Sequence, residues 1–257
     1  MRLCPNCNSE VGPGNKFCGS CGGKMDAGGK SAKAKTIMFS QFQQKMARLV
    51  LIKGSGQDGT TFYIPSGEHI IGRTEGQIRS EQPDLFLSPA HAQFVFDGDL
   101  LVIHDLESRN GVFIRIKEEV YLSPGDIFML GKQVFRLIES QDYNDPVPEE
   151  DGTYFYYTPH MPSKFLLVRM LQGGIDGDIY RAEENVITIG REGNAVDFPS
   201  DPFISGNHAR IEYTSDGYKL TDLNSRNGTF FRIKEQRSLY HGDFVYIGQQ
   251  LFRVEIT

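Results

Sequence analysis

"DLESRNGVFIRIKE" (105–118) and "DLNSRNGTFFRIKE" (222–235) are nearly the same string, written twice at an offset of 117 residues. In each, an Asn-Gly pair stands between apolar runs. That pair is the favoured chemistry of a tight turn between two strands, because both residues tolerate positive φ. A turn that only reverses the chain does not require the same Ser-Arg in front of it both times. The string therefore raises two readings, structural punctuation and binding surface.

Working outward, the rest of the chain repeats at the same offset. "HIIGRTEG" (69–76) answers "VITIGREG" (186–193), and "LSPAHAQFVF" (87–96) answers "ISGNHARIEY" (204–213). After the two turns, "YLSPGDIFMLGKQVFRLIE" (121–139) answers "LYHGDFVYIGQQLFRVEI" (239–256). Ser88/Ser205, His91/His208, Asn110/Asn227 and Gly131/Gly248 keep the offset of 117, while Arg73/Arg191 stand 118 apart. A period this long with one small slip is the mark of a duplicated domain.

Within each copy, runs such as "ARIEY", "YKLTDL" and "FVYIG" alternate apolar and polar letters with period two. Gly, Asn, Asp and Pro separate them. No stretch of either copy sustains a helical stripe, so the fold class is all-β, a sandwich or barrel of short strands. Helix is expected at most in "FSQFQQKMA" (39–47).

The expected organisation is a four-Cys head at 1–24, a flexible basic linker at 25–47, one domain at 48–139, a second linker at 140–163 and a second domain at 164–257. The 24-residue second linker is rich in acids, prolines and aromatics, and those aromatics are expected to pack against a domain. The 257 residues suit two domains of ordinary size, and 39% hydrophobic with 23% charged content is that of a soluble globular protein. There is no signal-like start and no apolar run beyond strand length, so no membrane insertion and a cytoplasmic address are expected.

Charge is unevenly placed. Residues 1–46 hold seven Lys/Arg against two Asp/Glu, a net of +5, and the remainder holds 20 against 31, a net of −11. An acidic body argues against nucleic acid as the main partner. The basic head reads as a solvated linker, with contact to an anionic partner as the alternative.

All four cysteines lie in "CPNC" (4–7) and "CGSC" (18–21). Four thiolates on two such knuckles close a tetrahedral site with no open position, so Cys4, Cys7, Cys18 and Cys21 are the expected ligands of a structural zinc. A redox pair or two disulfides are the alternatives, and the paired knuckles and the expected compartment oppose them. The stretch is similar to the small zinc ribbons found on many bacterial proteins, which implies zinc and a pair of β-hairpins.

The polar letters of each copy suit a phosphate better than a reaction. Arg191 offers a guanidinium fork, Ser205 a hydroxyl and Asn227 an amide that donates and accepts. Ser205 and His208 lie only three residues apart, with no orienting acid or nucleophile elbow in sight, so no catalytic residue is assigned.

The order Gly-Arg, Ser-x-x-His, Asn-Gly-Thr on an all-β domain of about 90 residues resembles the forkhead-associated (FHA) domain. Both copies match, so the resemblance covers about 185 residues. It implies two β-sandwich domains whose loops bind phosphothreonine peptides. By resemblance Arg191 and Ser205 contact the phosphate, Arg226 adds a donor and Asn227 holds the peptide main chain. His208, Gly190 and Gly228 are framework. In the first copy the corresponding positions are Arg73, Ser88, Arg109 and Asn110, with Gly72, His91 and Gly111 as framework.

Three departures matter. Pro89 follows Ser88, where the second copy has Gly206, and Val112 replaces Thr229. Both copies continue as "RIK" (115–117, 232–234) where the family often has another Asn-Gly turn, so a longer hairpin is expected there. The first site is accordingly the candidate for altered specificity or a domain-contact role.

The implied function is a non-enzymatic adaptor that docks Thr-phosphorylated partners, a bacterial Ser/Thr kinase or its substrates, with avidity if both sites engage together. Thr36, in the basic linker, is a candidate phosphosite, and its segment 31–42 could dock onto either domain. The competing readings are a zinc-ribbon regulator of nucleic acid or transcription machinery, and a scaffold making phosphate-independent contacts.

Overall fold

The computed structural model describes residues 1–25, 46–54, 56–79, 83–97, 99–140, 146–156, 161–182 and 184–257. Two units separate, Met1–Gln43 and Gln44–Thr257. Every regular element among the described residues is a strand, in keeping with the period-two alternation. None of the described residues forms a helix long and apolar enough to cross a membrane. The expected helix at 39–47 lies almost wholly outside the described residues, and Ala47 already begins a strand.

In the small unit, β1 (Arg2–Leu3) pairs antiparallel with β2 (Glu10–Val11), and Phe17 and Lys24 form one further bridge. In the large unit the first repeat supplies β3 (Ala47–Ile52), β4 (Asp58–Ile64), β5 (Glu68–Ile71), β6 (Ala92–Asp97) and β7 (Leu100–Asp105). It continues as β8 (Val112–Arg115), β9 (Val120–Leu122), β10 (Ile127–Leu130) and β11 (Gln133–Glu139). The second repeat supplies β12 (Phe165–Leu171), β13 (Ile175–Arg181), β14 (Val186–Gly190), β15 (Val196–Asp197) and β16 (Asn207–Thr214). It ends with β17 (Gly217–Asp222), β18 (Thr229–Arg232), β19 (Gln236–Leu239), β20 (Phe244–Ile247) and β21 (Gln250–Ile256).

The repeats exchange their last three strands. β3 pairs with β21, β7 with β19 and β8 with β20, so the second repeat closes the first sandwich. Reciprocally, β12 pairs with β11, β17 with β9 and β18 with β10. At the centre β8 and β18 pair antiparallel and fuse the two halves into one ten-stranded sheet. A four-stranded sheet, β19-β7-β6-β5, and a five-stranded one, β15-β14-β16-β17-β9, complete the two sandwiches.

The cores follow the pairing. One packs Leu49, Ile71, Phe94 and Ile103 of the first repeat with Leu239, Val245, Ile247, Phe252 and Val254 of the second. The other packs Phe165, Ile187, Ile211 and Leu220 with Leu122, Phe128, Leu130, Phe135 and Leu137. At about 1.5–3 kcal/mol per buried large apolar side chain, five exchanged residues contribute on the order of 10 kcal/mol, as much as a whole domain's net stability. Neither sandwich can do without the other repeat's strands. The boundaries 48–139 and 164–257 thus describe the repeat in the sequence, whereas each core is built from both repeats.

The reason lies in the "RIK" stretches, where the expected longer hairpin is not formed. "RIKEEV" and "RIKEQR" contain no Gly, Asn, Asp or Pro to turn the chain, so it runs on into the opposite half. The crossings are fastened reciprocally, Ile116 N–H donating to Thr229 O at 2.9 Å and Ile233 N–H to Val112 O at 2.9 Å. Lys117 pairs with Asp243, and Lys234 with Asp126 at 3.0 Å.

Among the second linker's aromatics, Tyr143 and Tyr157 lie outside the described residues, and the others differ from expectation. Phe155 and Tyr156 are 81% and 98% exposed, so they pack against neither sandwich. Within this stretch Glu149 N–H donates to Thr153 O at 2.8 Å and Gly152 N–H to Glu149 O at 2.9 Å, a local turn.

Candidate functional site

In each half, the segment before the Ser-x-x-His strand, the Gly-Arg loop and the Arg-Asn-Gly turn meet at one serine. In the second half Arg191 N–H donates to Ser205 O at 2.9 Å, and Arg226 N–H donates to Ser205 Oγ at 3.0 Å. Asn227 Nδ2 donates to Phe203 O at 2.7 Å. The first half repeats this set: Arg73 N–H to Ser88 O at 2.9 Å, Arg109 N–H to Ser88 Oγ at 3.0 Å, Asn110 Nδ2 to Phe86 O at 2.7 Å. Ser88 and Ser205 are half-buried, and Arg73, Arg109, Arg191 and Arg226 are exposed around them. All eight expected contact residues are brought together, four to a site. Because each serine Oγ accepts from a backbone amide, its own proton remains to donate outward.

The glycines permit this approach. A methyl group at Gly190 would fall 1.9 Å from Gly206 O, and one at Gly72 would fall 2.1 Å from Pro89 O. Only a residue without Cβ lets the Gly-Arg loop lie this close to the serine loop.

His91 and His208 are fully buried beneath the loops. Ser205 N–H donates to His208 Nδ1 at 3.0 Å, so the ring proton sits on Nε2 and donates to Gly228 O at 3.1 Å. His91 joins Ser88 N–H (3.1 Å) to Gly111 O (3.0 Å) in the same way. Burial lowers the pKa of both imidazoles, against the opposing effect of the accepting glycine carbonyls. A folded-state pKa below the ordinary value of about 6.5 means the unfolded chain binds the extra proton first, so stability is full above that pH and falls below it. The denaturation midpoint is therefore expected to fall from about pH 7.5 to about pH 5, and replacing both residues, His91→Asn with His208→Asn, is expected to flatten that slope.

Several site residues escaped the sequence reading. Ser225 Oγ donates to Asp222 Oδ2 at 2.7 Å and accepts from Gly228 N–H at 2.9 Å, locking the turn. Ser108 and Asp105 do the same in the first half. Asp201 accepts from Phe203 N–H and, across the exchange, from Lys132 N–H at 2.8 Å and Gln133 Nε2 at 2.9 Å. Asp84 likewise accepts from Gln249 N–H at 2.8 Å. Each serine loop is thus held by a hairpin tip from the other repeat. The 117-residue spacing of Asp105/Asp222 and Asp84/Asp201 was a visible signal, but their partners were not.

The FHA domain family profile matches residues 69–131 and 187–248. Both repeats match the FHA domain. Among solved structures, an FHA domain from a study of phosphothreonine-dependent FHA interactions is 14% identical over 82% of this chain and 97% of that one, at TM-score 0.32. An FHA domain from Chlamydia trachomatis is 12% identical over 82% of this chain and 96% of that one, at TM-score 0.33. Mycobacterium tuberculosis EmbR, solved with a low-affinity phosphopeptide, is 22% identical over 43% of this chain and 27% of that one, at TM-score 0.22. Scores this low say nothing about how the halves are arranged. No curated protein matches the chain.

The two FHA sites differ in rigidity. In the second, Thr229 Oγ1 adds a bond to Asp222 at 2.7 Å, and Arg191 Nε and Nη2 both donate to Ile204 O at 3.0 and 2.6 Å. In the first, Val112 makes no such bond, and Glu107 takes the positive φ of 52° that Asn224 holds at 56°. Asn suits that conformation better than Glu.

In the small unit the Sγ atoms of Cys4, Cys7, Cys18 and Cys21 all lie within 4.8 Å of one another. Cys4–Cys21 and Cys7–Cys18 are each 3.6 Å apart, close to the roughly 3.8 Å edge of a tetrahedron with 2.3 Å metal–sulfur bonds. The knuckles are alike: Asn8 N–H donates to Cys4 O and Gly22 N–H to Cys18 O, both at 2.9 Å and both at positive φ. Hydrogen bonding to Ser9 lowers the Cys7 thiol to about 6, whereas sharing a proton with Cys7 pushes Cys21 up to about 12. The four-sulfur cluster is compatible with a metal site. Thr36 and the 31–42 segment lie outside the described residues.

Proposed function

We propose that this chain is a non-enzymatic adaptor that docks Thr-phosphorylated proteins through two FHA sites, in Ser/Thr kinase signalling. The observation that carries the reading is the meeting, twice, of two arginines, an asparagine and a half-buried serine in one cluster of loops. Arg191, Ser205 and Arg226 offer charge-assisted donors to a phosphate, and Asn227 keeps its carbonyl oxygen for a peptide amide. Arg73, Ser88, Arg109 and Asn110 do the same in the first site. His91, His208 and the four glycines Gly72, Gly111, Gly190 and Gly228 hold the loops. The −11 charge of the body supports discrete phosphate recognition over binding of an extended polyanion.

The exchange gives the adaptor its geometry. β8 and β18 run antiparallel, so the Arg-Asn-Gly turns that precede them sit at opposite ends of the pair, about 20 Å apart along the strands. This arrangement suits bridging two phosphorylated segments over gripping one short peptide twice. A phosphothreonine-peptide library screened on the full chain tests the reading, with Arg73→Ala and Arg191→Ala as site controls. Binding that survives dephosphorylation of the peptide refutes it.

The four-cysteine cluster is read as a structural zinc site. The all-sulfur donor set fits zinc, and a unit this small has too little core to fold without a metal. Elemental analysis is expected to give one zinc per chain, and Cys18→Ser to lose it together with the dispersion of the small unit's amide resonances. Retention of both would remove the assignment.

A further inference from the structure

The strand that leaves each Arg-Asn-Gly turn ends on an arginine, "VFIR" in the first repeat and "TFFR" in the second. Where the family often turns the chain, Arg115 and Arg232 instead sit at the ends of the central strand pair, opposite Phe230 and Phe113. This register carries each guanidinium back toward the other repeat's turn. A methyl group at Gly111 would fall 2.1 Å from Arg232 Nε and 2.7 Å from its Cζ. At Gly228 the corresponding distances to Arg115 are 2.1 and 2.8 Å. Each arginine therefore lies directly on the glycine that follows the site's asparagine.

Like Arg73, Arg109 and Arg226 around the serines, they have no carboxylate partner among the described residues, unlike five arginines elsewhere. Arg48, Arg136, Arg169, Arg210 and Arg253 each pair with a carboxylate. Among the described residues, neither Arg115 nor Arg232 has an ion pair or a side-chain hydrogen bond, and Arg115 has the face of Phe244 at 5.6 Å. Both are half-buried. Each guanidinium has donors to spare and no acceptor of its own within the fold, so it is open to one that arrives from outside. The positive charge also registers on the framework, since Arg232 lowers the pKa of His91 and Arg115 that of His208.

We infer that Arg232 is a ligand-contacting residue of the first FHA site and Arg115 of the second, and that each selects an acidic side chain flanking the phosphothreonine. The inference rests on the phosphothreonine reading. Each site's phosphate is already served by its own two arginines and serine. The exchanged arginine stands on the Asn-Gly side, where the peptide main chain is held, and its planar fork matches a carboxylate in two-point geometry. Specificity at each site is thus written in the opposite repeat.

The test uses the full chain with one site silenced by a double change, Arg191→Ala with Ser205→Ala to read the first and Arg73→Ala with Ser88→Ala to read the second. Two fluorescent phosphothreonine peptide pools are compared by anisotropy, one with Asp and Glu flanking the phosphothreonine and one with Ala. The acidic pool is expected to bind about tenfold tighter at each site, the size of one charge-assisted hydrogen-bonded pair. Arg232→Gln should bring that ratio to about one at the first site, and Arg115→Gln should do so at the second. Three results overturn the inference: a ratio that survives, a loss that falls on the arginine's own repeat, or an equal weakening of both pools. Binding that ignores the phosphate fails the underlying reading instead, and the two failures are told apart by the dephosphorylated pools.

Discussion

Phe252→Ala is expected to unfold the sandwich that carries the first FHA site, although Phe252 lies in the second sequence repeat. The ring is fully buried among residues of the first repeat, edge-on to Phe62 with centroids 6.1 Å apart. Truncating such a ring costs about 3–5 kcal/mol, a large share of a domain's net stability. Hydrogen exchange is the discriminating measurement. Amides of β5, β6 and β7 should lose protection first in Phe252→Ala, and those of β14, β16 and β17 in Phe135→Ala, whose ring stacks on Phe128 in the other core. The reverse pattern would mean that each repeat folds on itself.

Arg191→Ala is expected to weaken phosphothreonine-peptide binding at the second site by at least tenfold, approaching a hundredfold. The substitution removes charge-assisted hydrogen bonds worth about 1.5–3 kcal/mol each, and each 1.4 kcal/mol is a factor of ten. It also frees Ile204 O, which Arg191 Nε and Nη2 hold from one side of the serine loop. Arg191→Lys keeps the charge but not the fork, so it should recover only part of the loss. Among the described residues no comparable clamp holds the Arg73 side chain, so Arg73→Ala should cost less at the first site. Titration calorimetry with a phosphothreonine peptide checks both, and equal affinity in Arg191→Ala and the parent chain would sink the site assignment.

The bonds to Ser205, His208 and Asn227 were largely legible in the sequence because they are made by one repeat's own loops. A Gly-Arg loop, a Ser-x-x-His segment and an Arg-Asn-Gly turn at fixed spacing leave little freedom in how they meet. The anchoring of Asp201 by Lys132 and Gln133 was not legible, since it joins residues 68 and 69 positions apart from different repeats. Nor was the placing of Arg115 and Arg232, which depends on the register of β8 against β18.

Alternation and turn chemistry, which act over a few residues, determined the strands, the turns and the four-cysteine knuckles of this protein. They could not determine which copy of the last three strands closes which sandwich. β9–β11 and β19–β21 present nearly the same apolar faces and the same hydrogen-bonding edges, so β3 finds equivalent partners in either. Only the tertiary structure decides between them. The deciding term is the extended "RIKEE" crossing, which lacks a residue able to turn, and whose amides and lysines are satisfied on the far side.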